Sequence, residues 1–138
     1  MTTDPSVIRS LAVSAEDLLA ALEANARDGP QTVLRATPPY SGRMRARLHV
    51  VHDETDEGET LHLSPTAFLD DAAPPYPTPD ETADELRDRA DETYSVDRHH
   101  DYHQQQVEQW RESLLDNVAQ TVSLPNRDHD VSVSLLGP

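Results

Sequence analysis

Residues 29–52 read GPQTVLRATPPYSGRMRARLHVVH and contain no Asp and no Glu, in a chain that carries 26 acids. Four of the 11 Arg fall inside: Arg35, Arg43, Arg45 and Arg47. With His neutral the stretch carries +4, while the remainder, with 7 Arg against 26 acids, carries −19. Any one window of 24 positions in so acidic a chain would be acid-free by chance in under about one case in a hundred. Its pattern also limits what it can fold into. Residues 32–37 and 43–51 alternate with a period of two, so both are predicted to be strands. Pro38-Pro39-Tyr40-Ser41-Gly42 between them suits a hairpin connection.

One register sorts both strands by polarity. With Thr37 opposite Arg43, Ala36 faces Met44, Leu34 faces Ala46 and Thr32 faces Leu48, giving an apolar side. On the other side Arg35 lies opposite Arg45 and Val33 opposite Arg47, with Arg43 ending the row. Like charges placed across from each other are costly unless anions come between them. The predicted hairpin therefore asks for negative partners.

The rest of the chain supplies little cation. Net charge is −15 over 138 residues, Lys is absent, and Ile and Phe occur once each. Spread over a folded surface of about 7,000 Å², that is one excess negative charge per roughly 500 Å². Such self-repulsion opposes compaction in dilute buffer and nearly vanishes in molar salt, where the Debye length is about 3 Å. Acid excess, absence of Lys and a core of Ala, Val and Leu together resemble the small cytosolic proteins of salt-accumulating halophilic archaea. The resemblance implies a salt-rich cytosol and says nothing of activity. There is no Cys, so disulfides and thiolate metal sites are excluded. The N-terminus has neither the basic region nor the apolar run of a signal peptide, and no segment is apolar enough to span a membrane. A cytoplasmic protein that makes no use of a membrane is expected.

In chain order, residues 1–12 are expected to form a short helical turn after Asp4-Pro5 or to fray. A helix starts at Ser14, with Asp17 in its first turn, Val13 and Leu18 placed as a hydrophobic staple, and Gly29-Pro30 as its stop. The acidic loop 53–59 lacks calcium-loop spacing: Thr55 takes one ligand position and Ser64 stands where the bidentate Glu belongs. Residues 60–63 can return as a third strand, followed by a short helical turn from Ser64-Pro65. Residues 70–79 form a Pro-rich, extended connection. Thr78-Pro79-Asp80-Glu81 begins a helix to about Thr93, with Ala83, Leu86, Ala90 and Tyr94 as a narrow apolar stripe and Glu85 and Arg89 as an i,i+4 pair. A long helix from about Asp97 to Val122 carries Val107, Trp110, Leu114, Val118 and Val122. Alternation at 131–135 gives a last strand. The expected fold is a single α+β domain over 1–138. It has two layers, a small, mostly antiparallel sheet of three to four strands packed against two to three helices.

Three groups could carry chemistry. Arg35, Arg43, Arg45 and Arg47, with His49 continuing their side and Tyr40 at the hairpin tip, suit phosphates and a stacked base. The competing reading is internal pairing with the many carboxylates. His99 and His103, four apart on the long helix, could share a metal with His62, His49 or a carboxylate, but His100 stands where a zinc-peptidase helix has its Glu. Pro38-Pro39-Tyr40 and Pro74-Pro75-Tyr76 read as stiff turns with an aromatic lid. No nucleophile elbow, phosphate loop or dinucleotide fingerprint is present. The chain is thus expected to act by binding rather than catalysis, without a cofactor unless a metal sits at His99 and His103. Its Arg face would meet an anionic partner such as nucleic acid. Two further readings remain open: self-association or protein binding through acidic helices, and a His-based metal-dependent enzyme.

Overall fold

A computed structural model of the chain describes residues 2–27, 31–51, 60–89, 93–125 and 127–137. The fold class is α+β, with three α-helices and sheets of four and three strands. The chain divides into two compact units, Met1–Asp71 with Val118–Pro138, and Ala72–Asn117.

The first unit opens with the helical turn expected after Asp4: a 3-10 turn, Pro5–Val7, capped by the Asp4 carboxylate on the Ser6 amide. The amide and hydroxyl of Ser6 hold the Asp4 carboxyl below the usual range. Residues 10–14 then depart from expectation. They form a strand, β1 (Ser10–Ser14), rather than fraying or beginning a helix. Leu11 and Val13 point inward from it and are fully buried. Two apolar residues two apart fit a strand as well as the run-up to a helix, and only the neighbouring strands decide. Helix α1 (Ala15–Ala26) follows at once, with the Ser14 hydroxyl accepting the Asp17 amide at 3.0 Å, as predicted. Val13 and Leu18 are both buried, as a staple requires. The Gly29-Pro30 stop lies outside the described residues.

The acid-free stretch contributes β2 (Thr32–Ala36), β3 (Arg43–Arg45) and β4 (Arg47–Val50). Both arms are strands, but not one simple hairpin. Of β3 and β4, β4 alone pairs with β2, antiparallel, with Arg35 opposite Arg47 and Leu34 opposite Leu48. β3 instead runs parallel to β1, with Ser10 opposite Arg43 and Ala12 opposite Arg45. The switch happens at Ala46, fully buried, whose N–H donates to the Ala12 carbonyl at 2.9 Å. The β2–β4 register is shifted by two residues from the predicted one. A shift of two keeps every side chain on its face, so polarity alone could not distinguish the registers.

β5 (Leu61–Leu63) completes the three-stranded sheet in the order β4-β2-β5. A 3-10 turn, Pro65–Phe68, buries Phe68. β6 (Thr121–Ser123) and β7 (Asp130–Leu136) form an antiparallel hairpin, and β7 lies parallel to β1, giving the order β3-β1-β7-β6. The core joins the inner sides of both sheets to α1 through Leu11, Val13, Leu18, Leu34, Leu63, Phe68 and Val131.

The second unit is a helix pair. Helix α2 (Pro79–Arg87) has the predicted start: the Thr78 hydroxyl accepts the Glu81 amide and donates to its carboxylate. It stops at Arg87, short of the expected Thr93, and Tyr94 of the predicted stripe is exposed in the following loop. Helix α3 (Val96–Leu115) buries Tyr102, Val107, Trp110 and Leu114. It ends seven residues before the predicted Val122. Val118 and Val122 belong to the other unit, where Val118 bridges to Leu69 and Val122 sits in β6 opposite Val131. The four-residue spacing that extended the stripe is also an even number, so strand alternation is equally served. Pairing with β7 claims Val122 for a strand, and a bridge to Leu69 holds Val118 outside the helix.

Candidate anion-binding face

Alternation runs through the sheet switch without a break. Arg43, Arg45 and Arg47 are exposed, while Met44 between them is half-buried and Ala46 is fully buried. On the three-stranded sheet the register sets Arg47, Arg35 and His62 side by side across β4, β2 and β5. Two residues along β4, His49 lies opposite Val33. The His49 and His62 rings meet with centroids 5.6 Å apart. Arg35 is half-buried and Val33 on the same side is buried, so the exposed cations are those of the 43–47 strand. The like-charge juxtaposition foreseen from the sequence is present with a different pair, Arg35 against Arg47 instead of Arg45.

The outer side of the four-stranded sheet extends this face with hydroxyls. Arg43, Ser10, Ser132 and Thr121 stand in one row across β3, β1, β7 and β6. Arg45, Ala12 and Ser134 stand in the next. Small polar side chains flanked by guanidinium groups give a low surface on which an extended anion can lie. Among the described residues, none of Arg35, Arg43, Arg45 and Arg47 forms an ion pair. Each guanidinium keeps a planar set of donors suited to two-point contact with phosphate or carboxylate.

Tyr40 does not belong to this face. Its expected place was an exposed tip, but it is fully buried in the core. Its hydroxyl donates to the Ala36 carbonyl at 3.2 Å, and its backbone pairs with Thr2. The Pro38-Pro39 segment turns the ring inward, because a fully desolvated phenol ring stabilises more than one left in water. Conversely, His62 was not foreseen as part of the face. The Leu61-His62-Leu63 alternation, with both Leu buried, was the signal that could have placed it.

The structure also brings His99 and His103 together, with ring centroids 6.0 Å apart. What lies between them is the Thr82 hydroxyl, 2.9 Å from Nε2 of His99 and 2.9 Å from Nδ1 of His103. Thr82 is 1 % exposed, and its oxygen also lies 3.3 Å and 3.2 Å from the carbonyls of Thr78 and Pro79. A hydroxyl has one proton to give and two lone pairs. Every partner is satisfied at once when Thr82 donates to those carbonyls and both imidazoles donate N–H to Thr82. The two nitrogens are thereby occupied in locking α2 to α3. Among the described residues, no group of three or more His, Asp or Glu side chains is placed to hold a metal ion. No described helix is long and apolar enough to cross a membrane.

Two other interactions were invisible in the sequence. The Asn25 side chain both donates to the Thr32 carbonyl and accepts the Thr32 amide, each at 2.8 Å, tying α1 to β2. The Asp17 carboxylate, besides sitting in the first turn of α1, accepts the Leu48 amide at 3.2 Å. Both hold β2 and β4, and so Arg35 and Arg47, in place.

No curated protein and no solved structure matches the chain. A family match covers nearly all of it: over residues 1–137 it fits the domain of unknown function DUF8009, and the chain belongs to that family.

Proposed function

We propose that this protein is a non-enzymatic binding module of a salt-rich cytosol, presenting the Arg43, Arg45 and Arg47 strand to the phosphates of a nucleic acid. The observation that carries the reading is a mismatch. Of the chain's 26 carboxylates 18 lie among the described residues, and these guanidinium groups pair with none of those 18. Cations spaced about 6.6 Å apart along a strand, beside a row of hydroxyls, suit an extended polyanion. Net charge opposes such binding at long range, but phosphate contacts are local and the opposition is screened in salt.

The test is Arg43→Gln, Arg45→Gln and Arg47→Gln in one chain. Folding in molar KCl, read by circular dichroism, is expected to match the parent. Anisotropy of a labelled single-stranded oligonucleotide, titrated at several KCl concentrations, is expected to show binding by the parent. The variant loses about one unit of salt slope per contact removed. Parent protein that ignores the oligonucleotide at every salt concentration sinks the reading.

A second reading has its own support. The unit Ala72–Asn117 carries 12 acids against 4 Arg, so another copy of the chain offers acidic helices to the same Arg strand. Native mass measurement distinguishes the two: an assembly that the triple variant breaks favours self-association.

A further inference from the structure

The helix-pair unit contains a cleft of about 290 Å³, independent of the Arg strand. Pro74, Pro75, Pro77, Tyr76 and Trp110 line it, and Glu81, Glu85, Gln106 and Gln109 supply polar groups. The two rings stand at 87° with centroids 4.8 Å apart, making a corner. Trp110 is held there by its indole N–H, which donates to the Pro74 carbonyl at 3.1 Å. Glu81 and Glu85, one helical turn apart on α2, face the same cleft, and no Arg or His lines it. Among the described residues neither carboxylate is ion-paired. One oxygen of Glu81 receives the Thr78 hydroxyl and one oxygen of Glu85 receives the Tyr102 hydroxyl, which fixes both carboxylates in place.

We infer that this cleft binds a methylated ammonium group. The half-buried Tyr76 ring, backed by the nearly buried Trp110, offers aromatic surface to a weakly hydrated cation, and the two carboxylates balance its charge. A hard, strongly hydrated cation gains little from the rings. A neutral apolar group gains nothing from the carboxylates. A cleft of about 290 Å³ has room for a small ammonium compound or the end of a trimethyllysine side chain.

Trp110 is the only Trp in the chain, so its fluorescence reports on the site directly. The experiment titrates choline at constant ionic strength and compares 3,3-dimethyl-1-butanol, its uncharged isostere. A saturable change with choline, about tenfold weaker with the alcohol, is expected. Glu81→Gln with Glu85→Gln keeps the hydrogen-bond acceptors of both carboxylates and should weaken choline binding several-fold. The comparison of the two ligands on the parent chain stands even if that variant misfolds. A parallel titration with acetylated trimethyllysine methylamide identifies the source: tighter binding than choline means an ammonium carried by a polypeptide, weaker binding a free small molecule. No saturable response to either ammonium compound, or an equal response to the alcohol, overturns the inference.

Discussion

Asn25 has the clearest energetic role of any single side chain. Thr32 is 2 % exposed, and both its amide and its carbonyl hydrogen-bond the Asn25 side chain. Asn25→Ala removes both hydrogen bonds at a buried residue and is expected to cost about 1–3 kcal/mol. Asn25→Asp keeps the acceptor and loses the donor, so it should fall between. Urea denaturation at fixed KCl measures both. Tyr102 makes a pH-dependent contribution. Burial, then the hydrogen bond to Glu85, raise its phenol above the ordinary value of 10.0. The Arg89 guanidinium lies 5.7 Å from the ring, and Glu85 takes the Tyr102 hydroxyl; the expected Glu85–Arg89 ion pair is not formed among the described residues. Because the folded-state value is the higher one, this contribution is complete below pH 10 and disappears as pH rises through the raised value. Stability followed from pH 9 to 12 should fall more steeply for the parent than for Tyr102→Phe. The phenolate absorbance band of the parent should also contain a late component that this variant lacks.

At the scale of elements, helix starts follow local chemistry and helix ends do not. Ser14, Thr78 and Ser95 each accept an amide three residues on, and each begins a helix. Thr78→Ala removes both hydrogen bonds of its cap and should cost about 1 kcal/mol, with faster amide exchange confined to the first turn of α2. Thr78→Ser should preserve both. The junction of β3 and β4, which belong to different sheets, is a different kind of element. Ala46 must be small, because it lies fully buried where the chain passes from one sheet to the other. Ala46→Leu is expected to destabilise by about 1–3 kcal/mol through overpacking. It should also disturb Arg45 and Arg47 on either side, so binding and stability should fall together. In the Gln variants of the Arg strand only binding should fall.

Across the whole molecule, charge sets the working conditions. With −15 over 138 residues and only 11 Arg to offset the acids, repulsion persists wherever salt does not screen it. Thermal melts in KCl from about 0.1 M to 3 M should show the midpoint rising steeply at first and then levelling once the Debye length is a few Å. A midpoint that ignores KCl would remove the basis for placing the protein in concentrated salt.

What the sequence by itself determined was local: the α+β class, the helix caps at Ser14 and Thr78, the strand character of both arms of the acid-free stretch, and the outward alternation of Arg43, Arg45 and Arg47. Each follows from residues within a few positions of one another, where capping, turn chemistry and period-two patterning act. Only the tertiary structure decided that β3 pairs with β1, that Tyr40 is core, that Val118 and Val122 leave the helix, and that Thr82 joins His99 to His103. These are choices between partners distant in the chain, and spacings of two and four residues fit more than one such partner. Burial of Leu11, Ala46 and Tyr40 against strands far away in sequence selected among them, and no stretch of residues read alone contains that information.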